Sequence, residues 1–222
     1  MMERDTILCL CDLTGIMARP WVEAGYRAVL VDPQHMVNSD DGGYVRLATT
    51  VDGAMPEIRD LVASGRVAFV ASFPPCTDMA ISGARWFQRK YEADHLFQAR
   101  AVQVAEQCRT IGRMSGAPWF VENPVSVLSN VFGKPQHTFN PCDFTRWEPS
   151  DNYTKRTCLW TGGGFRMPPV NRDATLGPPD VRRIWWASGR DRANVRSRTP
   201  LGFARAVFAS NSGRRSDGEQ TL

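Results

Sequence analysis

Short apolar runs separated by stretches of helical spacing constrain this chain more than any other feature. Ile7–Cys11, Ala28–Asp32, Val67–Phe73 and Pro118–Val121 read as strands, and Tyr44–Val51 as a weaker one. Between them, Pro20–Gly25 holds a short helix stopped by its glycine, and Met55–Ser64 is a helix closed by Gly65. The long stretch Ala84–Ile111 has neither Gly nor Pro. Within it Phe97, Ala101, Val104, Cys108 and Ile111 recur every three or four residues, the spacing of an amphipathic helix. Strands alternating with helices read as βαβ units, so the expectation is an α/β fold with a doubly wound, mainly parallel sheet. From Pro124 the texture changes, with Pro, Gly, Asn and aromatics interspersed. Strands are expected there near His137–Phe139 and Thr157–Trp160, and a last helix over Arg198–Asn211 started at Thr199-Pro200. That helix is expected to pack back near the first strand. The reading is one domain over residues 1–211, loop-rich across 124–198, with a polar, disordered tail at 212–222.

Composition excludes several classes. Hydrophobic residues make up 42% and charged residues 23%, enough apolar surface for a real core. No apolar run approaches the length of a bilayer span, and the charged Met-Met-Glu-Arg-Asp-Thr start has no apolar segment of a signal peptide. The six cysteines contain no CxxC pair and only three histidines accompany them, which argues against a zinc site or a disulfide framework. A reduced, cytoplasmic protein with no metal and no membrane partner is expected. Charge is uneven: Val181–Arg215 holds nine arginines and one aspartate, net +8, in a chain whose total is +4. Arginine's planar fork suits phosphates and base edges, so a polyanionic partner is expected. The bland alternative is an arginine-rich composition inherited from a GC-rich genome.

In open α/β sheets ligands sit beyond the carboxyl ends of the strands, and the unusual residues here fall at those ends. The first strand leads into Cys11-Asp12-Leu13-Thr14-Gly15-Ile16, where Gly15 can let a ligand approach the backbone. The second ends in Asp32, a carboxylate able to accept from ribose hydroxyls. After Val67–Phe73 comes Pro74-Pro75-Cys76-Thr77, in which two prolines stiffen the presentation of one thiol. The next strand ends in Glu122-Asn123-Pro124. Lys155-Arg156 precede the strand at Thr157. Taken singly, each has a structural reading: a capping aspartate, a small buried cysteine, a turn, a solvated edge.

In combination and in this order, the motifs resemble the cytosine-C5 methyltransferase family over roughly residues 6–211. The small phage-encoded members look most similar, sharing Phe73-Pro74-Pro75-Cys76-Thr77, Ser82-Gly83-Ala84-Arg85-Trp86-Phe87, Glu122-Asn123-Pro124-Val125-Ser126, the stretch Thr154–Gly162 and Thr199–Ala206. The resemblance implies a Rossmann-like, class I S-adenosylmethionine-dependent methyltransferase fold and methyl transfer to C5 of cytosine in DNA. It implies Cys76 as the nucleophile that adds to C6, with Glu122 engaging N3 and the exocyclic amine. Asn123 would hold the loop around Cys76, and Arg156 would contact the cytosine carbonyl. S-adenosylmethionine would be held by Asp12, Leu13, Thr14, Gly15, Ile16, Asp32, Asp52 and Pro74. DNA, single- or double-stranded, would meet Arg85, Trp86, Arg89, Lys155, Arg190, Arg192, Arg196 and Arg198.

The chain departs from the family pattern twice. Its first turn is one residue shorter and lacks the aromatic that packs on the cofactor adenine; Trp21 is the ring available to replace it. Only 38 residues, nine of them Gly or Pro, separate Trp160 from Thr199, too few for the target-recognition domain of sequence-specific members. A short context, RNA or a free pyrimidine nucleotide are therefore alternative substrates, and a non-catalytic nucleic-acid-binding module is the alternative outside enzymes.

Overall fold

A computed structural model describes residues 3–183 and 197–213. Its centre is β1 (Thr6–Leu10), buried at every residue and paired in parallel with β2 (Arg27–Val31) on one side and β5 (Val67–Ser72) on the other. Beyond β2 lies β4 (Tyr44–Leu47), also parallel, edged by the two-residue antiparallel β3 (Ser39–Asp40). Beyond β5 lies β6 (Trp119–Pro124), parallel, followed by antiparallel β8 (Thr157–Gly162) and β7 (His137–Phe139). The eight described strands thus run β3-β4-β2-β1-β5-β6-β8-β7. A five-strand parallel centre carries antiparallel edges, an α/β arrangement compatible with a Rossmann-like fold. The winding direction reverses between β1 and β5, which places the topological switch point there.

The period-two alternation of the strands divides the core into two layers. Ile7 and Cys9 of β1, Leu30, Phe69 and Phe120 face α1 (Arg19–Glu23) and the last helix, α6 (Leu201–Asn211), meeting Trp21, Phe203 and Val207. Leu8 and Leu10 face the opposite way with Val70 and Val121. They meet Ile58 of α2 (Met55–Ala63), Cys108 and Ile111 of α4 (Phe97–Met114) and Leu128 of α5 (Leu128–Phe132). Helices therefore cover both faces, the condition under which parallel strands can be apolar throughout. Helix α6 returns to the face carried by Ile7 and Cys9: its Phe208 meets the Trp21 ring edge-on at 5.2 Å, and its Phe203 stacks on Phe139 at 4.0 Å.

Several elements differ from the sequence reading. The stretch Ala84–Ile111 is not one helix. A 3-10 segment (Ile81–Trp86) runs into α3 (Phe87–Ala93), and the chain breaks at Asp94, which is extended at φ −156° and accepts from the Leu96 amide before α4 begins. An aspartate that bonds the backbone two residues on competes with helix continuation, and no glycine or proline is needed to stop the helix. The third strand is shorter than Tyr44–Val51, because Asp52 and its neighbours turn into α2. Ser212, expected in a disordered tail, accepts a 2.7 Å hydrogen bond from the Tyr26 hydroxyl; residues 214–222 lie outside the described residues. No described helix is long and apolar enough to cross a membrane.

Phe203 is buried against the rings of Phe120, Phe139 and Phe144, so Phe203→Ala should cost about 3–5 kcal/mol by urea unfolding. Met36→Ala, at a side chain 95% exposed, should change stability by less than about 0.5 kcal/mol.

Candidate active site

The carboxyl ends of β5 and β6 are joined by a side chain. Asn123 is buried at the end of β6, and its Nδ2 donates to the carbonyl of Pro74 at 3.0 Å. Pro74 stands two residues before Cys76, so this bond fixes the start of the Pro-Pro-Cys segment against the neighbouring strand end. The segment is held further along as well. The Cys76 carbonyl accepts from the Met79 and Ala80 amides, and Ile81 and Val127 pair with Val125 and Met79. The Lys90 ammonium donates to the Thr77 carbonyl at 2.9 Å and to Asp78 at 2.5 Å. Cys76 is half-buried, and none of the six cysteines is in a disulfide.

Glu122 precedes Asn123 and so points to the opposite face of β6 from Val121 and Asn123, toward the layer of Phe120. The residue is half-buried, but its Oε1 is enclosed and has no hydrogen-bond partner. Burial pushes its carboxyl above the ordinary carboxylate value, and the Lys155 ammonium pulls it partly back. Glu122 and Lys155 line one small, open pocket together with Phe73, Phe139, Thr157, Thr199 and Phe203. Cys76 is not among the pocket's lining residues; Phe73, three residues before it, is. A buried carboxyl of raised proton affinity, with an unpaired oxygen in an aromatic-walled pocket, can donate to one nitrogen of a planar base and accept from another.

Arg156 is exposed, and its charge acts on Cys158, which packs with Trp160 in the layer of α4. Lys155 shares the parity of Thr157 and Leu159, whose side chains face Phe139 and Phe203. The cation the structure brings to Glu122 is therefore Lys155, and the alternation Lys155–Thr157–Leu159 was the available signal.

A second group gathers where β1 and β2 end. Cys11 adopts a left-handed φ of 56°, and the Asp12 amide donates back to the Val31 carbonyl. Asp12 Oδ1 accepts from the amides of Thr14 and Gly15 and from the Thr14 hydroxyl, which closes the turn through Leu13 to Ile16. Its Oδ2 is buried without a partner, and desolvation, reinforced by nearby Asp32, raises its proton affinity. Asp32 is buried with one oxygen accepting from the Gln34 amide. His35, which the sequence reading missed, is buried beside it, and its Nε2 has no partner.

Gly15 sits at φ +65°, where an added Cβ would lie 2.9 Å from Leu30 Cδ1. Asp52 stands apart, exposed and accepting from Gln107 of α4 at 3.3 Å. Pro74 is buried and gives its carbonyl to Asn123. Trp21 does not replace the missing aromatic, because it is fully buried against Tyr26, Phe69 and Phe208.

Of the residues expected to meet nucleic acid, Arg85, Trp86 and Arg89 are exposed on the segment that follows Cys76, with the Arg85 guanidinium 5.1 Å from the Trp86 ring. Arg198 is exposed beside Tyr153 and Asp151. Arg190, Arg192 and Arg196 lie outside the described residues. No group of three or more metal-ligating side chains occurs among the described residues. Compared with family models and with curated proteins, the chain matches none.

The raised proton affinity of Glu122 has a sign that stability measurements can read. A carboxyl whose folded value exceeds its unfolded one contributes stability that is full below the ordinary value of 4.5. That stability is lost as pH rises through the folded value. Glu122→Gln should therefore gain on the wild type in urea unfolding as pH rises from about 4.5 toward neutrality. A difference that stayed flat across that range would mean that Glu122 is not desolvated.

Proposed function

We propose that this chain transfers a methyl group from S-adenosylmethionine to C5 of cytosine in DNA through a covalent bond between Cys76 and C6. The observation that carries the reading is Glu122: a buried carboxyl with an unpartnered oxygen, one residue from the asparagine that fixes the Pro-Pro-Cys segment. Cytosine C5 is a poor nucleophile until a group adds to C6. As the Cys76 sulfur bonds to C6, the C5–C6 π electrons are released and charge would build on the ring. A proton passed from Glu122 to N3 leaves a neutral enamine instead, and the Glu122 carboxylate accepts from the exocyclic amine. Once C5 carries the new methyl group, elimination follows: a base takes the C5 proton, the thiolate departs, N3 returns its proton to Glu122, and the C5–C6 double bond is restored.

The ends of β1 and β2 suit a nucleoside cofactor. Asp32 keeps an oxygen free of backbone partners for ribose hydroxyls, and Asp12 Oδ2 and His35 Nε2 are buried polar atoms in want of one. When bound, S-adenosylmethionine supplies the methyl group. Exposed Arg85, Trp86, Arg89 and Arg198 offer charge and a stacking surface to a nucleic acid. A base in duplex would leave the stack to reach Glu122, at a cost of a few kcal/mol.

An oligonucleotide carrying 5-fluorocytosine tests the covalent step, because fluorine cannot leave as a proton does. With the methyl donor present, the wild type should form an adduct that survives denaturing electrophoresis, and Cys76→Ala should form none. Glu122→Gln should slow the adduct about 10²–10⁴-fold. An adduct that persisted in Cys76→Ala would refute the nucleophile. For the cofactor, calorimetry should show S-adenosylhomocysteine binding that weakens about tenfold or more in Asp32→Ala, as expected from losing a charge-assisted hydrogen bond worth about 1.5–3 kcal/mol.

A further inference from the structure

Two sulfurs meet where the turn that carries Asp12 leaves the sheet. Cys11 follows directly on β1 and packs against the layer that holds Cys108 of α4. Its thiol donates a hydrogen bond to the Cys108 sulfur. Neither cysteine is in a disulfide, and neither has a part in the chemistry proposed above.

The backbone at Cys11 is a second, independent observation. Among the described residues, Cys11 is the only residue other than glycine in the left-handed region, at φ 56°. Glycine or asparagine fills such a position at lower cost, so a cysteine there is held against its own preference. Strain of this kind gathers at sites and switches, and here the strained side chain ends on another cysteine. Access to the pair is one-sided: Cys11 is half-buried, while Cys108 is fully buried. The bond to Cys108, burial, and the nearby charges of Asp32 and Asp12 all hold the proton on Cys11. The pair therefore reacts more slowly than an exposed thiol and answers sustained oxidation.

We propose that Cys11 and Cys108 form a reversible disulfide that locks the Asp12 turn onto α4. The oxidant is a peroxide, here hydrogen peroxide. Cys11 gives up its proton and its sulfur attacks one peroxide oxygen. The O–O bond breaks, the departing oxygen leaves as water, and Cys11 becomes a sulfenic acid. Cys108 then gives up its proton and its sulfur attacks the Cys11 sulfur. The S–S bond forms, the S–O bond breaks, and a second water leaves. Two thiols have lost two electrons and two protons, and one hydrogen peroxide has become two waters. A thiol reductant returns both cysteines by exchange.

The two sulfurs, now in hydrogen-bond contact, must close to a bond of about 2.05 Å. Cys108 sits in a helix packed through Ala105 and Ile111, so the turn is the part that gives. Asp12 is the next residue, and its Oδ1 holds the Thr14 and Gly15 amides, so the turn moves with it. The effect on the cofactor rests on the reading of this crevice given above. The disulfide itself does not.

The test treats folded, reduced Cys76→Ala with hydrogen peroxide, which keeps the candidate nucleophile out of the redox chemistry. Remaining thiols are then blocked, and the unreduced digest is read by mass spectrometry. Cys11 and Cys108 should escape blocking and appear in one cross-linked peptide that dithiothreitol divides. The cross-link closes a long loop, so the oxidised protein should melt several degrees higher. Its affinity for S-adenosylhomocysteine should fall about tenfold or more and return on reduction. Cys108→Val should show neither the cross-link nor the loss. Cys11→Gly, which suits the left-handed backbone, should behave likewise and covers a Cys108→Val that fails to fold. Absence of the cross-link, or a cross-link to a different cysteine, overturns the pair. A disulfide that forms and leaves the affinity unchanged overturns the switch. Reduced protein that does not bind S-adenosylhomocysteine overturns the cofactor reading, and the cross-link and the melting shift still decide the pair.

Discussion

Strand β1 is held between β2 and β5, and the positions of the other groups follow from that placement. With parallel partners on both sides and both faces covered, all five of its residues are buried. Its carboxyl end marks the point where the winding reverses, so two connections leave in opposite directions and a crevice opens between them. Asp12 sits on one lip of that crevice. The Pro-Pro-Cys segment, following β5, sits on the other. A sheet wound in one direction from β1 would have filled this space with a crossover connection.

The polar groups at these strand ends divide into those satisfied by the fold and those left over. Asp12 Oδ1, the amide of Asn123 and the Lys90 ammonium all have partners, and each restrains a loop. Asp12 Oδ2, Asn123 Oδ1, Glu122 Oε1, His35 Nε2 and Ser72 Oγ are buried without one. An unpaired buried polar atom costs about 1–3 kcal/mol, and a fold carrying several together at one edge of its sheet has a reason to keep them. These five atoms lie along the carboxyl edge of β1, β2, β5 and β6.

Hydrophobic spacing made the parallel centre legible, because buried strands cannot avoid continuous apolar runs. The break at Asp94 was not legible, since a polar residue ended the helix through a side-chain hydrogen bond and no glycine or proline marked it. Strand ends were readable as the seat of Asp12, Asp32, Cys76 and Glu122 for the same topological reason. Side-chain direction was harder. Adjacent Lys155 and Arg156 are equivalent in charge and differ only in strand parity, which must be counted from an apolar anchor such as Leu159. Trp21 failed for the opposite reason: a large ring near a ligand turn is more stable against Phe69 and Phe208 than facing a crevice.

The return of α6 to the α1 face has a consequence for how the chain is made. Trp21, Phe69 and Phe120 are finished by Phe203 and Phe208, more than eighty residues after the last of them. On a ribosome adding about 5–20 residues per second, this sheet face stays uncovered for seconds after the strands that form it have emerged. The opposite face closes earlier, since α2 and α4 both precede β6 in the chain. The nascent chain therefore passes through a one-sided stage with a greasy aromatic surface open to solvent. That stage is where a chaperone would find its grip, and where truncation or a stalled ribosome would leave a product prone to aggregation.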